Sequence, residues 1–235
     1  MSFVLEPGTW TGLLGPNGSG KTTLLRALGG HLPAAGRILL DGRPLAEWTA
    51  RQRARRLAFV RQAPTLTFDF TVRELVALGR SPHVGWLARN SPGHNAIHAA
   101  LAAVDLDGFA DRSVLSLSGG ERQRAFLAQA LLQETPVLLL DEPIAHLDVR
   151  YQFQFLDRIR TLVDEGRTVL AVFHDLEQAA RYADRLLLLH NGALTASGPP
   201  ADVLTPQRIA SVFRMDATVG TDPHGALRIH YRHAC

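Results

Sequence analysis

Between a run of apolar residues and a leucine-rich segment, the chain places Gly15-Pro16-Asn17-Gly18-Ser19-Gly20-Lys21-Thr22. No other stretch limits the fold so tightly. Thr9–Leu14 before it reads as a strand buried on both faces, and Leu24, Leu25 and Leu28 after it recur at helical spacing. A glycine, four intervening residues and Gly-Lys-Thr make the phosphate-loop pattern, in the strand-to-helix context the pattern requires. The glycines allow successive backbone N–H groups to converge at a helix N-terminus, which is an anion cradle. The expected nucleotide contacts are Gly15 through Thr22, together with Thr23.

Lys21 is the single lysine among 25 basic side chains; every other one is arginine. The exception has a physical reason. A lysine sets a compact point charge on a slim stem against the β and γ phosphates of a nucleotide, where the wide guanidinium fork presents the wrong geometry. The hydroxyl of Thr22 is then placed to ligate Mg²⁺.

Val137–Leu140 is a second buried run, and it ends at Asp141-Glu142. Ligands of open α/β sheets bind beyond the carboxyl ends of the strands, on the side where the phosphate loop lies. Asp141 is expected to hold Mg²⁺, and Glu142 to orient or deprotonate an attacking water.

Further runs complete an α/β pattern. Thr168–Phe173 ends at His174, Leu186–Leu189 turns at Asn191-Gly192 into Ala193–Ser197, and Arg37–Leu40 is followed by Asp41-Gly42. Thr71–Leu78, Ala96–Val104 and Gly120–Leu132 have helical spacing with little strand pattern between them. The chain therefore reads as one domain over 1–235, with a core of residues 1–70 and 134–235 and a helical subdomain over about 71–133. Ser81–Gly93, rich in Pro and Gly, reads as an exposed connection.

Leu117-Ser118-Gly119-Gly120-Glu121-Arg122-Gln123-Arg124 narrows the class. Ser118 can cap a helix whose first amides Gly119 and Gly120 leave open, a second anion site. Here the chain resembles the ATP-binding cassette ATPases, whose signature LSGGERQR matches. The resemblance implies a phosphate-loop NTPase fold with a RecA-like parallel sheet, an antiparallel β piece and a helical subdomain. It also makes Lys21 and Thr22 the Walker A residues, Asp141 the Walker B acid and Glu142 the general base. Gln62, in AFVRQ, is similar to the Q-loop glutamine that touches Mg²⁺ or the water. Leu147-Asp148 resembles the D-loop, and His174 the switch histidine that contacts the γ-phosphate. In such ATPases two copies meet head to tail, so Ser118, Gly119 and Gly120 of one copy would bind the phosphate held by Lys21 of the other. Membrane permease subunits, and indirectly a substrate-binding protein, are the further partners implied. The implied location is peripheral, on the cytoplasmic face of the cell membrane.

LGRSPH, Leu78 to His83, resembles importers of ferric siderophores, haem and cobalamin, as do HDLEQAARYADRLLLL from His174 and DPHG from Asp222. Ferric siderophore ranks first, haem second and cobalamin third. The same resemblance implies a further N-terminal strand pair carrying an adenine-stacking aromatic. The chain begins too late to include that pair, and Trp10 lies inside the strand before the phosphate loop. Weakened ATP affinity is the expectation, since a lost stacking contact is worth roughly 1–3 kcal/mol.

Composition excludes other classes. Apolar residues make up 46% and charged residues 20%, and the formal charge is +3, a mild excess. The Arg51–Arg56 run has no interleaved aromatics, so it reads as a solvated helix face, and no nucleic acid is expected. Cys235 is the only cysteine, which fits a reducing compartment. The N-terminus shows no secretory pattern, and the apolar runs are too short to span a bilayer. His94 with His98, and His230 with His233 and Cys235, lack enough ligands for a metal site; the latter group reads as a mobile tail. A soluble cassette ATPase acting on ribosomes or DNA is the alternative reading, but the paired cassettes or long coiled coils of those proteins are not in this sequence. A nucleotide-binding regulator without turnover is opposed by Glu142.

Overall fold

The computed structural model describes residues 1–61, 68–84, 93–145, 147–223 and 225–234. Strand β1 (Trp10–Leu14) runs into the phosphate loop, and α1 (Lys21–Leu28) leaves it. A two-stranded hairpin follows, β2 (Leu39–Leu40) and β3 (Arg43–Pro44), turning at Asp41-Gly42. Next come the short helix α2 (Ala50–Ala54) and strand β4 (Leu57–Val60). Helices α3 (Val72–Ala77), α4 (His94–Ala102) and α5 (Gly119–Leu132) fill the interval before β5 (Val137–Leu140). Then α6 (Val149–Asp164), β6 (Thr168–Val172), α7 (Leu176–Tyr182), β7 (Arg185–His190) and β8 (Ala193–Gly198) alternate along the chain. The chain closes with α8 (Pro200–Val203), α9 (Pro206–Phe213), β9 (Met215–Thr221) and β10 (Leu227–Ala234).

The main sheet has the order β4-β5-β6-β1-β7-β8; all neighbours are parallel except β7 and β8. Its central strands β1 and β6 are buried at every position, and mostly apolar, because both faces are covered. Alternate residues divide between two cores. Trp10, Leu14, Leu138, Leu140, Val169 and Ala171 face the layer built by α5, α6 and α7, whereas Leu13, Leu139, Leu170 and Val172 join Leu25 of α1. Trp10 is fully buried, its ring 5.8 Å from Phe173 and 5.7 Å from Tyr182, so it is a core residue. Because β1, β5 and β6 are parallel neighbours, the phosphate loop, Asp141-Glu142 and His174 all emerge at the same sheet edge.

The structure corrects the sequence reading at the C-terminal end. His230 and His233 do not lie in a loose tail; they sit in β10, paired antiparallel with β9 through Ile229–Val219 and His230–Thr218. Alternation supplies the reason: Ala217 and Ile229 are buried while their strand neighbours face outward. Cys235 lies outside the described residues. The arginine run is also less free than expected, since Arg51 and Arg55 both donate from Nε to the carbonyl of Pro82, at 2.9 and 2.8 Å. The LGRSPH segment is thereby tied to α2.

Candidate functional site

The phosphate loop is held from both ends and from behind. Gly20 caps α1 with φ 98°, a left-handed conformation that suits glycine. At Gly15 the limit is space: a Cβ there would come within 2.3 Å of the Leu189 carbonyl oxygen. The amide of Ser19 donates to Pro16 O at 3.1 Å, and Gly192, in the β7–β8 turn, donates to Ser19 O at 3.1 Å. The Ser19 hydroxyl is buried without a hydrogen-bond partner among the described residues. Asn17, Gly18 and Thr23 are exposed, so the loop is open to solvent along its crest.

Lys21 is only 6% exposed. Its Nζ donates to the carbonyls of Gly15 at 2.7 Å and Pro16 at 3.0 Å. Burial pulls its pKa down, and the nearby Glu142 and Asp141 oppose that shift. Thr22 Oγ1 donates to Asp141 Oδ1 at 3.0 Å, joining the start of α1 to the end of β5. Asp141 is buried, and its burial raises its pKa; Glu142 adds to the rise and the Thr22 hydrogen bond opposes it. A hydroxyl and a carboxylate held this close are hard oxygen donors of the kind Mg²⁺ prefers, and a divalent ion would offset the cost of burying the charged carboxylate. The residues present fit that ion.

Glu142 adopts φ 51°, an unusual conformation for a residue with a side chain, costing on the order of 1 kcal/mol. That turn swings its carboxylate toward β6. Oε1 lies 2.7 Å from Nε2 of His174. The imidazole itself is half exposed, while the preceding Phe173 is sealed in the core.

The signature segment folds as expected from its sequence. Ser118 caps α5 by accepting from the Glu121 amide at 3.3 Å, and its own amide donates to Glu121 Oε2 at 2.8 Å. These hydrogen bonds with Ser118 hold the Glu121 carboxyl below its usual pKa. Ser118 and Gly119 are exposed, and Gly120 is partly so. Asp148 is exposed at the start of α6, beside exposed Val149. Among the described residues, no hydrogen bond or ion pair joins Ser118, Gly119, Gly120 or Asp148 to the phosphate loop. Lys21, Thr22, Asp141, Glu142 and His174 therefore form one cluster, and the signature residues stand apart from it. Gln62 lies outside the described residues; its predecessor Arg61 accepts from Gln123 Nε2 of α5 at 3.5 Å.

Two features escape sequence reasoning. One is the direct meeting of Glu142 with His174. The other is a chain of amides: Gln178 Nε2 donates to Gln152 Oε1 at 3.0 Å, and Gln152 Nε2 donates to Leu147 O at 3.0 Å, joining α7 to the segment before Asp148. Neither has a local signal, because each depends on strand order and helix packing. His94 and His98 face each other on α4, Nε2 to Nε2 at 2.8 Å, with Arg73 on His94 Nδ1 at 2.8 Å. Among the described residues no three His, Cys, Asp or Glu side chains are grouped to hold a metal.

The family model described as ABC transporter matches residues 1–145. The hemin import ATP-binding protein HmuV of Pseudomonas entomophila strain L48 is 48% identical over 225 residues, covering 93% of this chain and 87% of that protein. The cobalamin import ATP-binding protein BtuD of Halobacterium salinarum is 44% identical over 221 residues, covering 93% of this chain and 55% of that one. Among solved structures, an ABC transporter described as metal-chelate type, in an inward-facing conformation, superposes with a TM-score of 0.82 at 28% identity. That match covers 99% of this chain and 88% of the other.

Proposed function

The chain belongs to the ABC transporter family, and from that premise we propose that it powers haem uptake through separate membrane permease subunits. It is an ATP-binding ATPase of the import type. The observation that carries the reading is the convergence of Lys21, Thr22, Asp141, Glu142 and His174 at one edge of the parallel sheet. Haem moves ahead of ferric siderophore because of the 48% identity to a hemin import protein; a cobalamin importer follows at 44%. Relatives of this kind oppose the ribosome and DNA alternative.

The geometry supports the following division of labour. The amide-lined loop and Lys21 bind the β and γ phosphates, the ammonium exchanging its carbonyl partners for phosphate oxygens. Thr22 and Asp141 would hold Mg²⁺, which when bound neutralises charge developing on the phosphates. Glu142 takes a proton from the attacking water, whose oxygen then bonds to the γ-phosphorus as the bond to the bridging oxygen of ADP breaks. His174 steadies the Glu142 carboxylate and the γ-phosphate edge. Gln62 is assigned to the water and metal by resemblance.

The signature site completes the mechanism from a second copy. Ser118 uses an oxygen lone pair for its cap, so its hydroxyl hydrogen remains available to an anion. Its exposure, and its separation from Lys21, suit a head-to-tail dimer with Asp148 at the same seam. Among the described residues no helix is long and apolar enough to cross a membrane. The permease would bring the dimer to the cytoplasmic face of the membrane, with a substrate-binding protein beyond it. The core of 1–70 and 134–235 and the helices of about 71–133 act as one ATPase domain.

Reconstitution with cognate permease subunits tests the proposal. Haem delivered by the cognate binding protein should raise ATP hydrolysis in proteoliposomes. Stimulation by a ferric siderophore or cobalamin with no response to haem would reassign the cargo. No response to any of the three would overturn the importer reading.

A further inference from the structure

We propose that Glu177 is a positioning residue for His174, acting by fastening the first turn of α7 to strand β10. The inference rests on the role given to His174 above. His174 is half exposed, so packing around the imidazole does not fix its direction. Beyond the contact with Glu142, its restraint must come from its chain neighbours. On one side Phe173 is buried against Trp10. On the other, Asp175 Oδ1 accepts from the amides of Glu177 and Gln178 at 2.8 and 3.0 Å, hydrogen bonds that shape the turn from within.

Glu177 supplies an outside anchor on the β10 side, beside the Gln178–Gln152 hydrogen bond that ties the same turn to α6. Its Oε1 accepts from the Ile229 amide of β10 at 2.7 Å. Arg228 brings a guanidinium to 3.7 Å from Oε2, and that group is itself fixed by Asp222 at 3.2 Å. The strand receiving the anchor is itself seated: Ile229 and Ala217 are buried, and β9 pairs with β10 from Leu227 to Ala234 with one register shift between Tyr231 and His233. α7 spans Leu176–Tyr182, too short to hold its own direction, since isolated helices of this length are marginal. Its orientation is set by what it is tied to, and the imidazole one residue before its cap moves with it. The hairpin is thus a strut for the contact between His174 and Glu142, a distance over which small displacements are costly in rate.

Steady-state ATPase assays on the full chain decide the matter. Glu177→Ala should lower kcat about tenfold while KM for ATP stays within about twofold. Glu177→Gln keeps an acceptor for the Ile229 amide and should restore at least half of the lost rate. Placed on a His174→Ala background, Glu177→Ala should cause no further loss, because the residue acts through the imidazole. Three results overturn the proposal: an unaltered kcat in Glu177→Ala, no rescue by Gln, or a loss that multiplies with that of His174→Ala. A His174→Ala protein with full activity would instead sink the role of His174 itself, and this inference with it.

Discussion

His174 Nε2 and Glu142 Oε1 are 2.7 Å apart, although they arise from the ends of two different strands. Parallel pairing of β5 with β6 sets the two strand ends side by side, and the left-handed turn at Glu142 aims its carboxylate across the gap. The proposed base is therefore held by its neighbour, and its strained backbone is retained in spite of the cost.

Glu142→Gln should reduce hydrolysis at least about 100-fold, because the amide cannot take the proton from water. Nucleotide binding needs the loop and not this proton transfer, so the variant should accumulate as an ATP-bound dimer. Size-exclusion chromatography with Mg²⁺ and ATP measures this. A variant that remains monomeric at saturating ATP would contradict the two-copy site, and unchanged turnover would remove Glu142 from its role.

Lys21→Arg tests whether shape matters beyond charge. The ammonium fits where two carbonyls lie at 2.7 and 3.0 Å in a nearly closed space. The planar fork does not enter it without displacing the loop. Turnover should fall about 100-fold, the scale of losing one aimed donor, with weakened ATP binding seen by calorimetry. Wild-type affinity in the variant would show that charge alone suffices.

Asp141→Asn should stabilise the fold while abolishing hydrolysis. Burial raises the pKa of this carboxyl, with Glu142 adding to the effect, so the folded chain holds the proton more tightly than the unfolded one. Its contribution favours folding at low pH and is lost as pH rises through the raised value. The Tm advantage of the variant should accordingly be small near pH 4, about the ordinary aspartate value, and grow toward neutrality. A Tm difference that is constant across that range would refute the account.

Gly79→Ala should unsettle the helices between β4 and β5. A Cβ there would meet the carbonyl oxygen of Gln129 at 2.2 Å, backbone against backbone, so the segment after α3 must move off α5. The cost should be roughly 1–3 kcal/mol, the range for overpacking a close contact, and urea denaturation would measure it. A midpoint equal to that of the parent would show that α3 and α5 can separate freely.

The phosphate loop, the Asp141-Glu142 strand end, the Ser118 cap and the β7–β8 hairpin were legible because each is written within a few adjacent residues. Apolar runs such as Val137–Leu140 announce strands buried on both faces, and Ser118 with Glu121 announces its own helix. Strand β4 was not legible: Leu57–Val60 is short, follows an arginine run and is fixed by its partner β5. The end group from His230 reads as a tail, and β9 is not marked as a strand, for a related reason. The few apolar residues of β9 and β10, Ala217 and Ile229 among them, gain meaning only against α7 and α9. The contact between Glu142 and His174 and the amide chain through Gln152 depend on the order of strands in the sheet, which no local pattern encodes.

The burial of Lys21 also makes the protein its own probe. An amine-directed acylating reagent has one lysine to find in the chain, apart from the α-amino group, and it lies in the loop with its basicity lowered by burial. The extent of acylation at that single position, read by mass spectrometry, is then a footprint of nucleotide occupancy that requires no engineered label.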